Sequence, residues 1–195
     1  MIKRIIDVFV SAVLLILLVP LFAIIGIAIK LGSPGPVFFR QERLTKNGKT
    51  FSMLKFRTMQ SDAEKAGPRI AAAEDPRATK FGAKLRRTLL DELPQIWNVF
   101  WGDMSLVGPR AERPFFHKKF SRQFKRWPER LRIKPGMTGL AQLKQFGSDM
   151  PGKKLELDLF YTEHQSFWLD AKVLFATAMF FLERLFRFSK RKSIQ

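Results

Sequence analysis

Asp91 and Glu92 stand side by side in LLDELPQIWNVFWGDMSLVGPR, Leu89 to Arg110, within a chain of formal net charge +18. Two adjacent carboxylates can divide the work on a phosphate ester. An aspartate can attack phosphorus as a covalent nucleophile, while a neighbouring glutamate holds a divalent cation that offsets the repulsion between carboxylate and phosphate. An isolated Asp-Glu pair can also do nothing more than cap a helix. Pro94 favours a helix start at Asp91, because with Asp91 as N-cap the proline falls in the first turn, where amides are unpaired anyway. That placement would set Asp91 at the positive end of a helix dipole, where a phosphate docks. The company of the pair points past simple capping. Arg86 precedes it, Gly108-Pro109-Arg110 is a tight turn presenting a guanidinium, and Lys55 and Arg57 are further cations for an anionic ligand.

Composition narrows the chemistry. Lys and Arg outnumber Asp and Glu by 35 to 17, which points to a polyanionic partner: nucleic acid, an anionic membrane surface or a phosphorylated substrate. Cysteine is absent and histidine occurs twice, at His117 and His164, so thiol and Ser-His nucleophiles are poorly supported. The lack of cysteine suits a reducing compartment. A chain of 195 residues is long enough for a core of its own and argues for one domain. Its 20 phenylalanines, many of them among basic residues in the last third, suit a bilayer interface better than an RNA-stacking surface.

From Val8 to Ile29 the chain runs uncharged and mostly apolar, enough for a helix of roughly 33 Å. Lys3 and Arg4 precede this run and Lys30, Arg40 and Arg43 follow it, so both flanks carry the positive charge of a cytoplasmic side. Pro20, just past the midpoint, removes a backbone hydrogen bond and bends or breaks a helix. A cleavable signal peptide is disfavoured by the length of the run and the lack of a small-residue cleavage site. Two readings stay open on these residues: a kinked transmembrane span, and a bent helix that enters and leaves by one face.

The elements that must position the carboxylates follow. Asn47-Gly48, between VFFRQERL and FSMLKFRTM, predicts a β-hairpin. Gln60 to Asp75 reads as loop or short helix. FGAKLRRTLL predicts a basic helix, and Leu93 to Trp101 another, stopped by Gly102. His117 to Arg132 is basic and amphipathic with Pro128 interrupting it, Lys134 to Leu143 is turn-rich, and Lys154 to His164 is amphipathic. Ser166 to Phe188 places Leu174, Ala178, Phe181, Leu185 and Phe188 at helical spacing. Its cationic end reads as that of an interfacial helix, with a core helix as the plainer alternative. The fold class is therefore α+β, mainly helical.

At this point the residues match a family. The chain resembles the monotopic phosphoglycosyl transferases, bacterial sugar transferases that start polysaccharide and glycoconjugate assembly on a polyprenyl phosphate. The likeness runs nearly end to end, through KRIIDVFVS, SPGPVFFRQERL, FSMLKFRTM, DPRATKFGAKLRRTLLDELPQIWNVFWGDMSLVGPR, KPGMTGLAQ and LELDLFYTEHQSFWLDAKVL. It implies a ping-pong transfer from a UDP-sugar to polyprenyl phosphate on the cytoplasmic face of the bacterial inner membrane. Asp91 would be the nucleophile, Glu92 the Mg²⁺ ligand, Arg86 and Arg110 phosphate holders, and Lys55 and Arg57 further candidates for that duty. Residues 1–31 would form a re-entrant membrane helix bent at Pro20. Residues 32–195 would form a cytosolic catalytic domain with a C-terminal interfacial helix, without the additional N-terminal spans of larger relatives. The implied partners are UDP-sugar, polyprenyl phosphate and the lipid bilayer, not nucleic acid; the residues leave a homodimer open and do not name the sugar. Val19 precedes Pro20 where the family often has serine, Ala111 follows the GPR turn where it commonly has proline, Leu89 stands where serine is frequent, and LKQFGSDM replaces the usual continuation after KPGMTGLAQ. The rival reading is a membrane-anchored basic adaptor without enzymatic activity, which gives no reason for DELPQ or GPR.

Overall fold

A computed structural model describes residues 1–60, 63, 67, 75–147 and 149–192, with side chains followed to residue 184. The expected loop or short helix between Gln60 and Asp75 falls almost wholly outside the described residues. The rest is α+β and mainly helical: α1 (Ile2–Gly32), β1 (Phe38–Leu44), β2 (Thr50–Phe56), α2 (Lys80–Thr88), α3 (Gln95–Trp101), β3 (Ser105–Val107), α4 (Pro114–Gln123), β4 (Gly136–Thr138), α5 (Leu140–Leu143), α6 (Pro151–His164) and α7 (Phe167–Lys192).

The expected hairpin forms. β1 and β2 pair antiparallel from Phe38↔Phe56 to Leu44↔Thr50, and the turn between them carries Asn47 and Gly48 at φ of 60° and 75°. Positive φ is what selects Asn-Gly at this point. Strand alternation then sorts the side chains: Phe51 and Met53 point into the core, so Lys55, two residues further along, leaves by the same face.

Lys134 to Leu143 forms more regular structure than its turn-rich composition predicts. β4 pairs parallel with β3, Ser105↔Gly136 and Val107↔Thr138, and α5 is a single helical turn directly after it. The ladder is only three residues long on each side, too short to leave an alternation in the sequence. Its glycine is required by proximity: a Cβ on Gly136 would lie 1.9 Å from the Gly108 nitrogen.

The main core gathers Phe51, Met53, Val99, Met104, Leu106, Val107, Ala111, Tyr161 and Val173, drawing on the hairpin, α3, β3, α6 and α7. α7 is partly a core helix. Val173 is buried, whereas Phe167, Trp168, Phe175, Met179 and Leu182 are exposed. In the expected apolar stripe, Leu174 and Phe181 are half-buried and Ala178 is exposed. The side chains of Leu185 and Phe188 lie outside the described residues.

α1 is continuous through Pro20, and it is long and apolar enough to cross a membrane. Its middle is bare, with Val13, Ile16, Leu17 and Val19 exposed. Both of its ends dock on the rest of the protein. At the N-terminal end Lys3 pairs with Asp170 at 2.5 Å, Arg4 donates to the Val99 and Phe100 carbonyls at 2.6 and 2.7 Å, and buried Asp7 accepts from the Leu106 amide at 3.0 Å. At the C-terminal end Ile25 and Ile29 pack with Phe56 and Leu85, and Leu21 and Phe22 join the same cluster.

Gly136→Ala is expected to destabilise the protein by about 1–3 kcal/mol through overpacking of the β3–β4 ladder. Thermal unfolding of the purified protein measures this, and an unchanged Tm would show that the close approach is not needed.

Candidate active site

The acidic pair sits in a tight connection between two helices. α2 ends at Thr88 because Leu89 turns left-handed, at φ 60° and ψ 13°. A leucine in that region costs on the order of 1 kcal/mol or more, so the surrounding structure must impose it. Leu90–Glu92 then forms one 3₁₀ turn, and α3 begins at Gln95 with Pro94 as the residue before it. The expectation that Asp91 caps a helix is corrected here. The reversal at Leu89 starts the turn a residue too early, and the Glu92 and Leu93 amides are taken by the Leu89 and Leu90 carbonyls at 3.2 and 3.3 Å. Asp91 is therefore held inside the turn with no capping duty. It is 8% exposed, and its Oδ1 is buried without a hydrogen-bond partner.

Glu92 is the opposite case. Lys55 Nζ donates to its Oε1 at 2.7 Å, Arg110 Nη1 donates to its Oε2 at 3.1 Å, and Arg110 Nη2 closes the fork on Oε1. These groups come from three places: Lys55 from β2, Glu92 from the 3₁₀ turn, and Arg110 from the loop after β3. The GPR turn and the hairpin thus meet at Glu92.

The electrostatics follow from this geometry. Burial alone would raise the Glu92 pKa, but the charges of Arg110 and Lys55 overcome it and hold the carboxyl well below the usual glutamate range. Glu92 in turn holds the Arg110 proton more tightly than in a free guanidinium. Burial lowers the Lys55 pKa, against the pull of Glu92. Burial also raises the Asp91 pKa, opposed by Lys55, Arg110 and Arg86 and assisted by the negative charge of Glu92. Two neighbouring carboxyls are so pushed in opposite directions: Glu92 is fixed as an anion by its cations, and the Asp91 carboxyl, with Oδ1 lacking a partner, is pushed up by burial.

Arg57 is not brought to this cluster. Its guanidinium donates to the Pro34 carbonyl at 2.5 Å and to the Ser33 carbonyl at 2.8 Å, fastening the end of α1 to β2. Arg43 is a cation the sequence reasoning missed. It donates to the Ala111 carbonyl at 2.9 Å and lies close enough to Arg110 that burial and that like charge lower its pKa to about 10. The signal was available: the register places Gln41 and Arg43 opposite Met53 and Phe51, on the face that carries Lys55.

Glu92 is ionised and offers hard oxygen ligands, which suits a divalent cation such as Mg²⁺. Among the described residues no group of three or more acidic, His or Cys side chains could hold an ion. Any such ion would take Glu92 as its protein ligand and most of its other ligands from phosphate and water.

An ionised glutamate clamped by two cations, beside a buried carboxylate and a long apolar helix, is the arrangement that the comparisons place in a family. The bacterial sugar transferase family model matches residues 1–184; the chain belongs to that family. It is 46% identical over 130 residues, 67% of this chain and 73% of the relative, to a Bacillus subtilis (strain 168) protein named provisionally as an undecaprenyl-phosphate N-acetylgalactosaminyl 1-phosphate transferase. It is 38% identical over 191 residues to the exopolysaccharide production protein PSS of Rhizobium leguminosarum bv. phaseoli, covering 93% of this chain and 96% of that one. It is also 38% identical over 182 residues to the UDP-glucose:undecaprenyl-phosphate glucose-1-phosphate transferase of Escherichia coli (strain K12), covering 91% of this chain and 39% of that protein. The chain spans about two fifths of the length of several curated relatives that it matches.

The opposed pKa shifts set opposite effects of pH on stability. Because Asp91 has a raised folded-state pKa, its charge penalises the fold above that value, and the penalty fades as pH falls towards the ordinary aspartate range. Asp91→Asn is therefore expected to raise Tm by about 2–4 °C at pH 7.5, a gain that shrinks in acid. Glu92 has a lowered pKa, so its contribution is complete above the ordinary glutamate range and is lost as pH falls through the folded value. Glu92→Gln lowers Tm at pH 7.5, and the deficit closes in acid. Melting curves from pH 4 to 8 would refute both assignments if the two variants shifted alike.

Proposed function

We propose that this chain moves a sugar-1-phosphate from a UDP-sugar to a polyprenyl phosphate such as undecaprenyl phosphate, giving polyprenyl diphosphosugar and UMP. The observation that carries this reading is the unpaired, buried Asp91 carboxylate beside a glutamate clamped by Lys55 and Arg110. A basic adaptor has no use for such an arrangement. In the first step an Asp91 oxygen forms a bond to the β-phosphorus. The bond from that phosphorus to the bridging oxygen breaks, and the electron pair leaves with UMP. In the second step an oxygen of the lipid phosphate attacks the same phosphorus and returns the Asp91 carboxylate as leaving group. Arg110 and Lys55 bind and orient phosphate oxygens, and Arg86 adds positive charge on the Asp91 side. Mg²⁺ held by Glu92 would supply neutralisation of the diphosphate charge. As the diphosphate binds, Arg110 and Lys55 exchange the Glu92 carboxylate for phosphate oxygens, and the released Glu92 carboxylate would be the group to hold the ion.

The site also lies where a lipid can reach it. Leu90, the residue before Asp91, packs into the cluster formed by Leu21, Phe22, Ile25 and Ile29 of α1. Re-entrant geometry for α1 is supported by the docking of both its ends on one body and by the cations at both flanks, which also favour the cytoplasmic face. α7 adds an exposed apolar side that suits the bilayer interface.

Purified protein with Mg²⁺, undecaprenyl phosphate and a panel of UDP-sugars should release UMP with at least one of them; release with none would overturn the proposal. Asp91→Asn should lower turnover by at least ~10³-fold and abolish covalent labelling by a UDP-sugar radiolabelled in its sugar. Label that persists in that variant would exclude Asp91 as nucleophile. Cysteines placed at position 2 and in the hairpin turn should both resist an impermeant reagent applied outside the cell, whereas labelling of the first alone would mean a true span.

A further inference from the structure

The loop that carries Arg110 is held by more than a turn sequence requires. Four consecutive carbonyls each accept a hydrogen bond: Pro109 from the Gly136 amide at 2.9 Å and Glu112 from the Leu44 amide at 2.9 Å, Ala111 from Arg43 at 2.9 Å, and Arg110 from Arg130 Nη2 at 2.9 Å. Arg130 is itself part of a buried group of four charges. Its Nε donates to Asp158 Oδ2 at 2.8 Å, its Nη1 lies 3.6 Å from Glu112 Oε2, and Lys154 Nζ donates to the same Glu112 oxygen at 2.5 Å. None of the four is more than 4% exposed. Arg130 and Lys154 both lie over the indole of Trp127, at 4.5 and 5.6 Å from its ring centroid, and Trp127 is fully buried.

Two cations and two anions balance, so the group is neutral, but burying four charges is a costly way to fill a core that apolar side chains would fill as well. What apolar side chains would not provide is a donor aimed at the Arg110 carbonyl. The main chain at Arg110 is pinned while its side chain, 31% exposed, remains able to leave Glu92 and take a phosphate.

We infer that Arg130, fixed by Asp158 and by the Glu112–Lys154 pair, is a positioning residue for phosphate binding: it acts through the Arg110 main chain, without touching substrate, to set the reach of the Arg110 guanidinium. This rests on the reading of Arg110 as a phosphate ligand. Lysine at position 130 keeps the charge but has a single nitrogen, which cannot serve Asp158 and the Arg110 carbonyl in the guanidinium's planar geometry.

A double-mutant cycle separates positioning from mere stability. Arg130→Lys should weaken binding of UDP with Mg²⁺, and of pyrophosphate, by on the order of tenfold and lower kcat/KM by about 10–100-fold, in protein that still unfolds cooperatively. In an Arg110→Lys background the same substitution should change binding by less than about twofold, because the group it positions is already gone. Asp158→Asn, which keeps an acceptor for Arg130 but removes its charge, should give a smaller loss with the same dependence on Arg110, and carries the cycle if Arg130→Lys does not fold. Equal losses in both backgrounds, or unchanged binding in the folded single variants, would overturn the inference. If the wild type binds UDP and pyrophosphate yet releases no UMP from any UDP-sugar, the transferase reading fails while the binding cycle still tests the coupling.

Discussion

One carboxylate joins the parts of the structure that matter for chemistry. Glu92 holds Lys55 from the hairpin and Arg110 from the loop after the parallel ladder, so its charge ties two small sheets to the turn between α2 and α3. Among the described residues neither sheet has more than two strands, and neither would define a surface without such a tie. The tie also decides the fate of Asp91. Both nearby cations of that clamp are already committed to Glu92, so the neighbouring carboxylate is left buried and unpaired. The state of Asp91 is set less by contacts made to it than by contacts withheld from it.

The same economy recurs deeper in the protein. Arg130, Asp158, Glu112 and Lys154 are paired among themselves beneath the Arg110 loop, and Tyr161 donates to Asp170 and to the Val107 carbonyl beside Lys3. Much of the interior charge is paired with other charge, and through Arg130 and Asp7 it also fixes main chain, the Arg110 carbonyl and the Leu106 amide, with direction as well as strength. The surplus of exposed cations is a separate matter, suited to gathering an anionic ligand or surface.

Much of this could be read from the chain. Asn47-Gly48 marked the hairpin, although the strands pair Leu44↔Thr50 across a longer loop than a two-residue Asn-Gly turn makes; Gly102 ended α3 with φ 95°, and the DELPQ and GPR segments, singled out for their charge, meet at Glu92. The failures have physical causes. The start of α3 was misplaced because Pro94 permits more than one local solution, and the left-handed turn at Leu89 that chooses among them is imposed by packing and not by leucine's own preference. The β3–β4 ladder was missed because three residues carry no periodicity. Arg57 was grouped with the phosphate ligands on charge alone, yet its donors go to the Ser33 and Pro34 carbonyls. Arg4 read as the flank of an apolar run, whereas it binds the main chain of α3, and Asp7, which carried no reading, binds that of β3. Sequence patterns report which face of an element is apolar; they do not report which main-chain group a charged side chain will reach.

The fastening of α1 at both ends has a mechanical meaning. Arg4 grips the last turn of α3, the helix that follows the turn carrying Asp91 and Glu92, and Arg57 grips the far end of α1 from two residues beyond Lys55. The apolar helix α1 is thus strung between α3, which follows the turn carrying Glu92, and β2, which carries Lys55. α1 is therefore a beam supported at both ends, and its exposed apolar middle is held at a set position relative to the Glu92 clamp.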